Sequence, residues 1–452
     1  MHVLKFGGTS MADANTWKQV SEIARKSQPC LLVVSATSGT TDSLIDAAEL
    51  ARQGNKEDAL SIANSVKTRH DEVVRQFARD NNADESVLEP AFNQIEELTG
   101  LLTQYLNGIY TLEELTDKTL DGVTSIGERL SSALLDKCMK ANGFNSEHVD
   151  ARDMIKTDNH HGEAIPDREK ISSAAERLNK DATKDRIYVM GGFFGSSPEG
   201  KITTLGRGGS DFSASLMAEA LQAQVLEVWT DVSGMYTCDP RLVPEATSIP
   251  EISFHEAAEL AYFGARILHP ATIQPAVESN IPVKVKNTFA PDHPGTVITS
   301  EVDKTKNIKA IAFKRDITLI TISSSRMLMA YGFLARVFSV FEHLELPVDL
   351  VTTSEVSVTM SIDESENLDE LCEVLSAYGE VSVDPHQALV CLVGNNFLKS
   401  RGIANRAFSA LADIPVRMIS QGSSDMNLSL VIANDLVEKG VRELHAEFFP
   451  KR

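Results

Sequence analysis

The sequence predicts a layered α/β fold followed by two interleaved βαββαβ modules, and three observations support that prediction. Short apolar runs alternate with long helical stretches over the first two thirds of the chain. The texture changes after the turn-rich segment 291–295, which reads Pro-Asp-His-Pro-Gly. Beyond it, shorter elements repeat in the order β-α-β-β-α-β. Alternating strands and helices are typical of layered α/β domains.

The expected strands of the first part are short runs, several of them apolar on both faces, as in a sheet covered by helices. They cover 3–6, 31–34, 187–190, 225–229 and 281–285. The expected helices between them cover 42–79, 113–139 and 211–222, with Ser210 as the N-cap of the third.

After a polar stretch at 300–307, the second part reads as one complete module and one incomplete module. The complete one comprises strand 317–322, helix 332–344, strands 348–352 and 356–362, helix 368–377 and strand 381–383. The incomplete one comprises strand 388–393, helix 403–411, strands 416–420 and 428–432, and helix 436–448. Because the missing strand is available upstream at 308–313, the simplest completion inserts one module within the other.

Composition and charge restrict the function classes. The 452 residues carry 43 Lys and Arg against 64 Asp and Glu, a net charge of −21. Non-specific binders of nucleic acid or anionic membranes need basic surface, so that class is not expected. The 5 cysteines form no C-x-x-C pair, which predicts neither a zinc site nor a disulfide framework. The most apolar stretch, 31–34, is too short to span a bilayer, so we expect a soluble, cytoplasmic protein.

Two glycine-rich turns are candidate anion sites. The first, 5–10, reads Lys-Phe-Gly-Gly-Thr-Ser and follows the first strand, where backbone amides and a lysine could hold a phosphate. The second, 205–211, reads Leu-Gly-Arg-Gly-Gly-Ser-Asp, and its arginine suits a carboxylate. Each could alternatively be an ordinary tight turn, but two in one domain favour a pair of anionic ligands.

Other segments carry weaker signals. Residues 195–202 nearly spell a P-loop, but Ile202 stands where a Ser or Thr is needed, so a hairpin turn is expected. The polar loop 229–241 could hold a nucleotide at the end of a buried strand, or could simply be solvated. Glu128 is expected at the start of a helix, where a carboxylate is favourable in any case. The pair His160-His161 is expected in an exposed loop, without a metal.

Taken together, the motifs resemble those of the aspartate kinases, most closely the monofunctional lysine-sensitive type, over essentially the whole chain. The matching segments are 5–10, 34–36, 127–128, 206–211, 229–241, 263–270 and 348–355. The resemblance implies an amino-acid-kinase fold over 1–299 and a regulatory region of paired, interleaved ACT modules over 300–452. It implies transfer of the ATP γ-phosphoryl group to L-aspartate, giving 4-phospho-L-aspartate, the entry step to lysine, threonine and methionine. Mg²⁺ would arrive with ATP, as no dedicated protein cage is evident.

By the same resemblance, Lys5 stabilises the transferring phosphoryl group and Asp211 organises Lys5. Arg207 would hold a substrate carboxylate and Glu128 the substrate ammonium. The full implied substrate set is Ser35, Thr41, Glu128, Phe193, Arg207 and Ser210. The implied nucleotide set is Gly7, Gly8, Thr230, Asp231, Tyr236, Arg241 and Arg266, the last standing where relatives carry lysine.

Each ACT module is expected to present an open sheet edge, which predicts a dimer or a dimer of dimers. The resemblance implies lysine as an inhibitor bound at the ACT dimer interface. The implied effector set is Met327, Ala330, Phe333, Leu334, Val348, Asp349, Thr353, Ser354 and Glu355. Met329 and Ala330 replace a histidine and a serine of relatives, each a lost hydrogen-bond partner worth a net ~0.5–1.5 kcal/mol. Lysine inhibition is therefore expected to be present, with affinity lower by up to roughly tenfold.

Two alternatives stay open at this point. One is a kinase of glutamate or N-acetylglutamate, against which the ACT pair and the segment 353–355 argue. Another is a non-catalytic amino-acid sensor, against which the retained Lys5, Glu128, Arg207 and Asp211 argue. A fused homoserine dehydrogenase is not expected, because the chain ends at Arg452 and contains no G-x-G-x-x-G.

Overall fold

The computed structural model describes residues 1–81, 88–181, 183–263, 270–300, 302, 308–327, 331–363, 367–422 and 424–450. The chain divides into two compact units. The first comprises Met1–Met235 and Ile267–Glu301, and the second comprises Tyr236–Arg266 and Val302–Arg452.

The strands and helices are as follows, in chain order. The strands are β1 (His2–Phe6), β2 (Cys30–Val34), β3 (Ser146–Val149), β4 (Ile187–Gly191), β5 (Phe194–Ser196), β6 (Ile202–Thr204), β7 (Leu226–Thr230), β8 (Glu251–Ser253), β9 (Val283–Asn287), β10 (Thr296–Thr299), β11 (Ile308–Ser323), β12 (Leu350–Thr353), β13 (Ser357–Asp363), β14 (Glu380–Gly394), β15 (Val416–Gln421) and β16 (Asn427–Ala433). The helices are α1 (Ala14–Lys26), α2 (Thr40–Arg52), α3 (Lys56–Asp80), α4 (Glu89–Leu112), α5 (Asp117–Ala141), α6 (Ala151–Met154), α7 (Arg168–Asp181), α8 (Gly209–Ala220), α9 (Phe254–Tyr262), α10 (Gln274–Glu278), α11 (Phe333–His343), α12 (Leu368–Ser376), α13 (Ile403–Ala410) and α14 (Val437–Phe448).

The sheet of the first unit runs in the order β3-β4-β2-β1-β7-β9-β10. Its strands are parallel except for β10, which pairs antiparallel with β9. Strands β1 and β2 are buried almost throughout, as expected for the centre of a helix-covered parallel sheet. The α/β layering predicted from the alternating pattern is confirmed. So is the hairpin at 195–202, which forms the turn between β5 and β6.

The helices of the first unit differ from the expectation in several places, and α1, α4 and α7 were not among the expected helices. The stretch expected as one helix over 42–79 is two, because α2 ends before Gly54, which adopts φ +85°. Helix α5 begins at Asp117 with Thr116 as its N-cap, so Glu128 lies in mid-helix and the predicted helix start at Glu128 is wrong. Almost every residue of α5 from Asp121 to Met139 is buried, which explains its nearly continuous run of small and apolar residues.

The second unit contains a six-stranded antiparallel sheet in the order β12-β13-β11-β14-β16-β15. Strand β11 joins the two strands that were expected separately at 308–313 and 317–322. Strand β14 likewise joins those expected at 381–383 and 388–393. The first half of β11 pairs with the second half of β14, and its second half pairs with the first half of β14. The interleaving of two βαββαβ modules is thereby confirmed.

Each module has its own apolar core. Helices α11 and α12 pack on β11 and β13 through Val337, Phe341 and Leu371, among others. Helices α13 and α14 pack on β14 and β16 through Ala407 and Leu444. In the described part of the chain, no helix is both long and apolar enough to cross a membrane.

Candidate active site

Lys5 lies near the end of the central strand β1, where its main chain pairs with Val33 on one side and Val228 on the other. Only 9 % of the residue is exposed. Its Nζ lies 2.9 Å from Oδ1 of Asp211, in the first turn of α8. The ion pair gives the lysine a fixed position at the carboxyl edge of the sheet, where ligands bind in open α/β folds.

The turn after β1 brings backbone close to the Lys5 ammonium. The N–H of Gly7 donates to the carbonyl oxygen of Trp229, at 3.2 Å, which joins the turn to β7. A Cβ at Gly7 would lie 3.6 Å from Lys5 Nζ, and one at Gly8 would lie 3.4 Å from the carbonyl oxygen of Ala36. The two glycines therefore leave room for a ligand's phosphate beside the lysine.

The second glycine-rich turn leads directly into α8. Gly206 and Gly208 adopt φ +73° and +72°, a conformation that favours glycine. Gly208 is the N-cap of α8 and no side chain caps this end, so the predicted N-cap at Ser210 is wrong. Ser210 is buried in the first turn instead, and Arg207 is exposed between the two glycines. The turn thus presents an exposed guanidinium beside the N-terminus of a helix.

Glu128 is buried in α5, with 4 % of the residue exposed. Burial raises the pKa of its carboxyl group to about 8, although a hydrogen bond from the Ala36 backbone and the charge of Lys5 act in the opposite direction. Its Oε2 is buried without a hydrogen-bond partner among the described residues. A buried carboxylate oxygen without a partner is costly, and a ligand's ammonium group would offset that cost.

The remaining residues of the implied substrate set lie in α2, in α8 and in the turns that follow β2 and β4. The carbonyl oxygen of Ser35 accepts a hydrogen bond from Ser131 of α5, at 2.8 Å. Thr41 lies in the first turn of α2 and is partly buried. Phe193 adopts φ +72°, and its N–H donates to Ser213 Oγ at 3.0 Å. Such a conformation in a non-glycine residue costs free energy and is common at functional sites.

The implied nucleotide residues fall in both units. Thr230 ends β7 and Asp231 follows it, and the backbone N–H of Thr288 donates to the Thr230 carbonyl oxygen at 2.8 Å. In the second unit, Tyr236 forms an isolated antiparallel β-bridge with Ser248. Arg241 is exposed there and its guanidinium pairs with Asp239 at 2.7 Å. Arg266 lies outside the described residues.

The implied effector residues lie in the first module of the second unit, around α11, β12 and the turn before β13. Phe333 is buried, Leu334 is half-exposed and Met327 and Val348 pack on the module core. Thr353 ends β12 and is exposed, as are Ser354 and Glu355 in the turn that follows. Met329 and Ala330 lie outside the described residues.

Asp349, from the same set, already has charged and polar partners. Its Oδ2 lies 2.9 Å from Lys314 Nζ, and Tyr262 Oη donates to its Oδ1 at 2.7 Å. Lys314 also pairs with Asp363, at 2.6 Å. An ammonium group is therefore bound to Asp349 even without an effector.

Of the two adjacent histidines expected in an exposed loop, only one is exposed. His160 is exposed, but His161 is partly buried and its Nδ1 lies 2.7 Å from Oδ2 of the buried Asp121. Prediction of an exposed loop is therefore wrong for His161, because a buried carboxylate on α5 holds the ring. Within the described ranges, no three His, Cys, Asp or Glu side chains are grouped so as to hold a metal ion.

Sequence reasoning missed two residues that shape the pocket. A Cβ at Gly192 would lie 2.7 Å from Cα of Ser210, so only glycine allows the approach of α8 to the end of β4. Ser213 holds Phe193 from the next turn of α8. The Gly-Gly-Phe-Phe run that follows a buried strand was the available signal.

The described site of the first unit can therefore hold an acidic ligand beside a phosphate. Lys5 and the adjacent turn supply positive charge and amides, and the Arg207 turn supplies a guanidinium. Glu128 supplies a partner for an ammonium group. Such an arrangement suits phosphoryl transfer between two anions, which depends on positioning and charge neutralisation.

Comparisons with known families and proteins agree with this geometry. A model of the amino acid kinase family matches residues 1–287, and an ACT domain model matches residues 390–448. Aspartokinase 1, chloroplastic, of Arabidopsis thaliana is 38 % identical over 99 % of this chain and 80 % of its own. Lysine-sensitive aspartokinase 3 of Escherichia coli is 35 % identical over 99 % of both chains.

Solved structures of the Escherichia coli aspartokinase III are similar over the whole chain. The complex with lysine and aspartate has 34 % sequence identity and a TM-score of 0.81, and covers 99 % of both chains. The complex with aspartate and ADP has 34 % identity and a TM-score of 0.77, and covers 99 % of this chain and 100 % of that one.

Proposed function

The chain belongs to the aspartokinase family, and we propose that it transfers the γ-phosphoryl group of ATP to the β-carboxylate of L-aspartate. The product is 4-phospho-L-aspartate, the first intermediate on the route to lysine, threonine and methionine. The observation that carries the proposal is the ion pair between the buried Lys5 and the partly buried Asp211, 2.9 Å long, at the edge of the sheet beside a glycine-rich turn.

The chemistry makes few demands on the protein. A β-carboxylate is ionised at neutral pH, so its attack on the γ-phosphorus needs no general base. Lys5 stabilises the charge that is spread over the transferring group, and Asp211 keeps the ammonium in place. No side chains of the described residues are grouped so as to hold a metal ion, so Mg²⁺ would be held by the ATP phosphates, where it would supply further positive charge.

Substrate recognition follows from the charges around the pocket. We assign the aspartate ammonium to Glu128, whose buried Oε2 has no partner among the described residues. The substrate's α-carboxylate is assigned to Arg207. Ser35, Thr41, Phe193 and Ser210 complete the wall on the aspartate side. ATP is assigned to Gly7, Gly8, Thr230 and Asp231, with Tyr236, Arg241 and Arg266 as further nucleotide residues.

We assign catalysis to residues 1–299 and regulation to the interleaved ACT modules in 300–452, in a protein that works in the cytoplasm. The test of the function is an initial-rate assay of ADP release with aspartate, glutamate or N-acetylglutamate as acceptor. Turnover with aspartate alone supports the proposal. Turnover with another acidic amino acid would identify a different kinase, and no turnover would favour the sensor.

Lysine is proposed as the inhibitor, bound in the first ACT module and acting away from the active site. Since Asp349 already pairs with the Lys314 ammonium at 2.9 Å, the effector's ammonium would share this carboxylate with Lys314 or pair with Glu355. Asp349→Ala is expected to relieve lysine inhibition while leaving the uninhibited kcat nearly unchanged. The measurement is the initial rate against lysine concentration, with threonine and methionine tested separately.

Asp363→Ala is the matched control for Asp349→Ala, because it removes the other carboxylate of Lys314 without touching the proposed effector set. Lysine should still inhibit this variant. If millimolar lysine leaves the wild-type rate unchanged and threonine inhibits instead, the effector is wrong although the kinase assignment stands.

Dimerisation through the ACT sheet is also proposed. β12 and β15 lie at the ends of the sheet order, where Val351 and Ile419 expose 39 % and 46 % of their surface. Two-fold pairing would cover such edges symmetrically. Light scattering should give at least twice the mass of one chain, and Ile419→Lys should lower it. A monomeric mass with and without lysine would contradict the dimer.

A further inference from the structure

Asp121 is a buried carboxylate for which the proposed reaction has no direct use. It lies in α5 and exposes only 2 % of its surface. Its oxygens accept hydrogen bonds from three separate groups: His161 Nδ1 at 2.7 Å, the Gly162 N–H at 3.1 Å and Thr204 Oγ1 at 2.5 Å. Burying a carboxylate is costly, so three donors converging on one indicate a specific task.

The three donors belong to the structure that carries Arg207. Thr204 is the last residue of β6, three positions before the arginine. Its carbonyl oxygen accepts a hydrogen bond from the N–H of Ala164 at 2.8 Å. The next residue, Leu205, forms an isolated antiparallel β-bridge with Glu163. Gly206, at the start of the turn, has so little room that a Cβ would lie 3.0 Å from the Glu163 side chain. Asp121 therefore holds both the strand before the turn and the loop beside it.

The same helix carries Glu128. Seven residues separate the two carboxylates, which places them about two turns and roughly 10 Å apart on one side of α5. Because Asp121 fixes the Arg207 turn and Glu128 is assigned to the substrate ammonium, α5 determines the distance between the groups that hold the two charged ends of the amino acid.

We propose that Asp121 is a positioning residue that fixes the Arg207 turn relative to Glu128 and so sets the affinity for aspartate. The inference rests on the proposed function, since it uses the assignment of both residues to aspartate. Asp121 itself does not touch the substrate. Its effect is confined to the amino-acid side, because its hydrogen-bond partners His161, Gly162 and Thr204 belong neither to the turn after β1 nor to the loop after β7.

The first experiment is steady-state kinetics of Asp121→Asn with aspartate and ATP varied separately. An ångström-scale displacement of a binding group commonly costs about 10- to 100-fold. We expect KM for aspartate to rise about tenfold or more, with KM for ATP within about twofold of wild type. A variant that was merely less stable would lose active enzyme and lower kcat without this split between the two KM values.

Asp136→Asn is the matched control. Asp136 lies on the same helix, is 1 % exposed, and accepts hydrogen bonds from Ser146 at 2.7 Å and Lys140 at 2.8 Å, far along the helix from the Arg207 turn. Its replacement should leave both KM values within about twofold of wild type. Equal rises in the aspartate KM of the two variants would overturn the inference.

Thr204 provides a second pair of variants should Asp121→Asn fail to fold. Thr204→Val removes the hydroxyl and Thr204→Ser keeps it, so only valine should raise the aspartate KM. The control is Thr203→Val, because the neighbouring Thr203 hydroxyl bonds Thr157 at 2.7 Å instead. An unchanged aspartate KM in Thr204→Val would overturn the inference. Failure of wild type to phosphorylate aspartate would instead overturn the proposed function, so the two failures are distinguishable.

Discussion

Lys5→Ala is expected to lower kcat by about 10²–10³-fold while the protein stays folded, because removing one positioned electrostatic stabiliser commonly costs that much. The Nζ atom is fixed 2.9 Å from Asp211 and lies beside the glycines that leave room for the phosphate. The measurement is single-turnover and steady-state ADP release at saturating aspartate and ATP. Circular dichroism and thermal unfolding establish that the variant is folded.

Lys309→Ala is the control for this prediction. Lys309 is as buried in its strand as Lys5, with 8 % of the residue exposed against 9 %, but it lies in β11 of the second unit. The change in turnover of Lys309→Ala measures the effect of removing a buried lysine side chain from a β-strand. Near-wild-type turnover in folded Lys5→Ala, or an equal loss in both variants, would contradict the role assigned to Lys5.

The fold of the second unit was predictable because its elements are short and strongly patterned. The apolar runs at 308–313 and 317–322 were both recognised, and so was their interleaved use. Their fusion into β11 was not predicted. The strand passes the polar residues Lys314 to Asp316 with irregular register, and Asp316 adopts φ +57°. In the sequence alone, such a bulge looks like the end of one strand and the start of another. In the structure, β11 pairs with β14 on both sides of the bulge, so the strand is continuous.

The first unit shows where a local pattern misplaces boundaries. Glu128 was expected at a helix start, but the capped end of α5 lies upstream at Thr116. The extent of α5 was predicted closely, as 113–139 against Asp117–Ala141, so the error concerns only the place of Glu128 within the helix. The turn at Gly54 was not predicted, because an amphipathic pattern continues on both sides of it, in α2 and in α3. The stretch 42–79 therefore looks like one helix in the sequence.

The candidate site was predictable as a set of motifs and not as an arrangement. The turns at 5–10 and 205–211 pointed to two anion sites, and the structure brings Lys5 of one to Asp211 of the other. Nothing in the spacing indicated that Asp121 would accept hydrogen bonds from His161 and Thr204, because those contacts join segments 40 and 83 residues away from it. Long-range polar contacts of this kind depend on the tertiary fold alone.

Glu128 and Arg207 are assigned to the two charged ends of aspartate. Replacing either residue is expected to raise KM for aspartate and to leave KM for ATP nearly unchanged. Loss of a charged partner in a closed site costs about 2–5 kcal/mol, so Glu128→Ala and Arg207→Ala should each raise KM for aspartate by roughly 30-fold or more. Glu256→Gln is the control, since Glu256 is also buried but its carboxylate accepts hydrogen bonds from Ser253. A rise in KM for ATP alone would contradict the pocket assignment.

Glu128 adds a pH dependence whose sign is fixed by its raised pKa. With a pKa of about 8, against the ordinary 4.5, the free enzyme holds a proton on this carboxyl group at neutral pH, and only the ionised form pairs with an ammonium. The kcat/KM for aspartate should therefore rise with pH up to about 8, with a limiting slope of about one in logarithmic form, and Glu128→Gln should lose this limb.

Stability should move in the opposite direction to activity. Between about pH 4.5 and about pH 8, the native chain keeps a proton on Glu128 that the unfolded chain has released. The free energy of unfolding therefore falls as pH rises through this window, so this contribution is complete below about pH 4.5 and lost above about pH 8. Denaturant unfolding at about pH 6 and about pH 9 should show that Glu128→Gln gains stability relative to wild type at the higher pH. If the difference between the two proteins is the same at both pH values, the buried carboxyl does not titrate in this range, and the activity limb must come from another group.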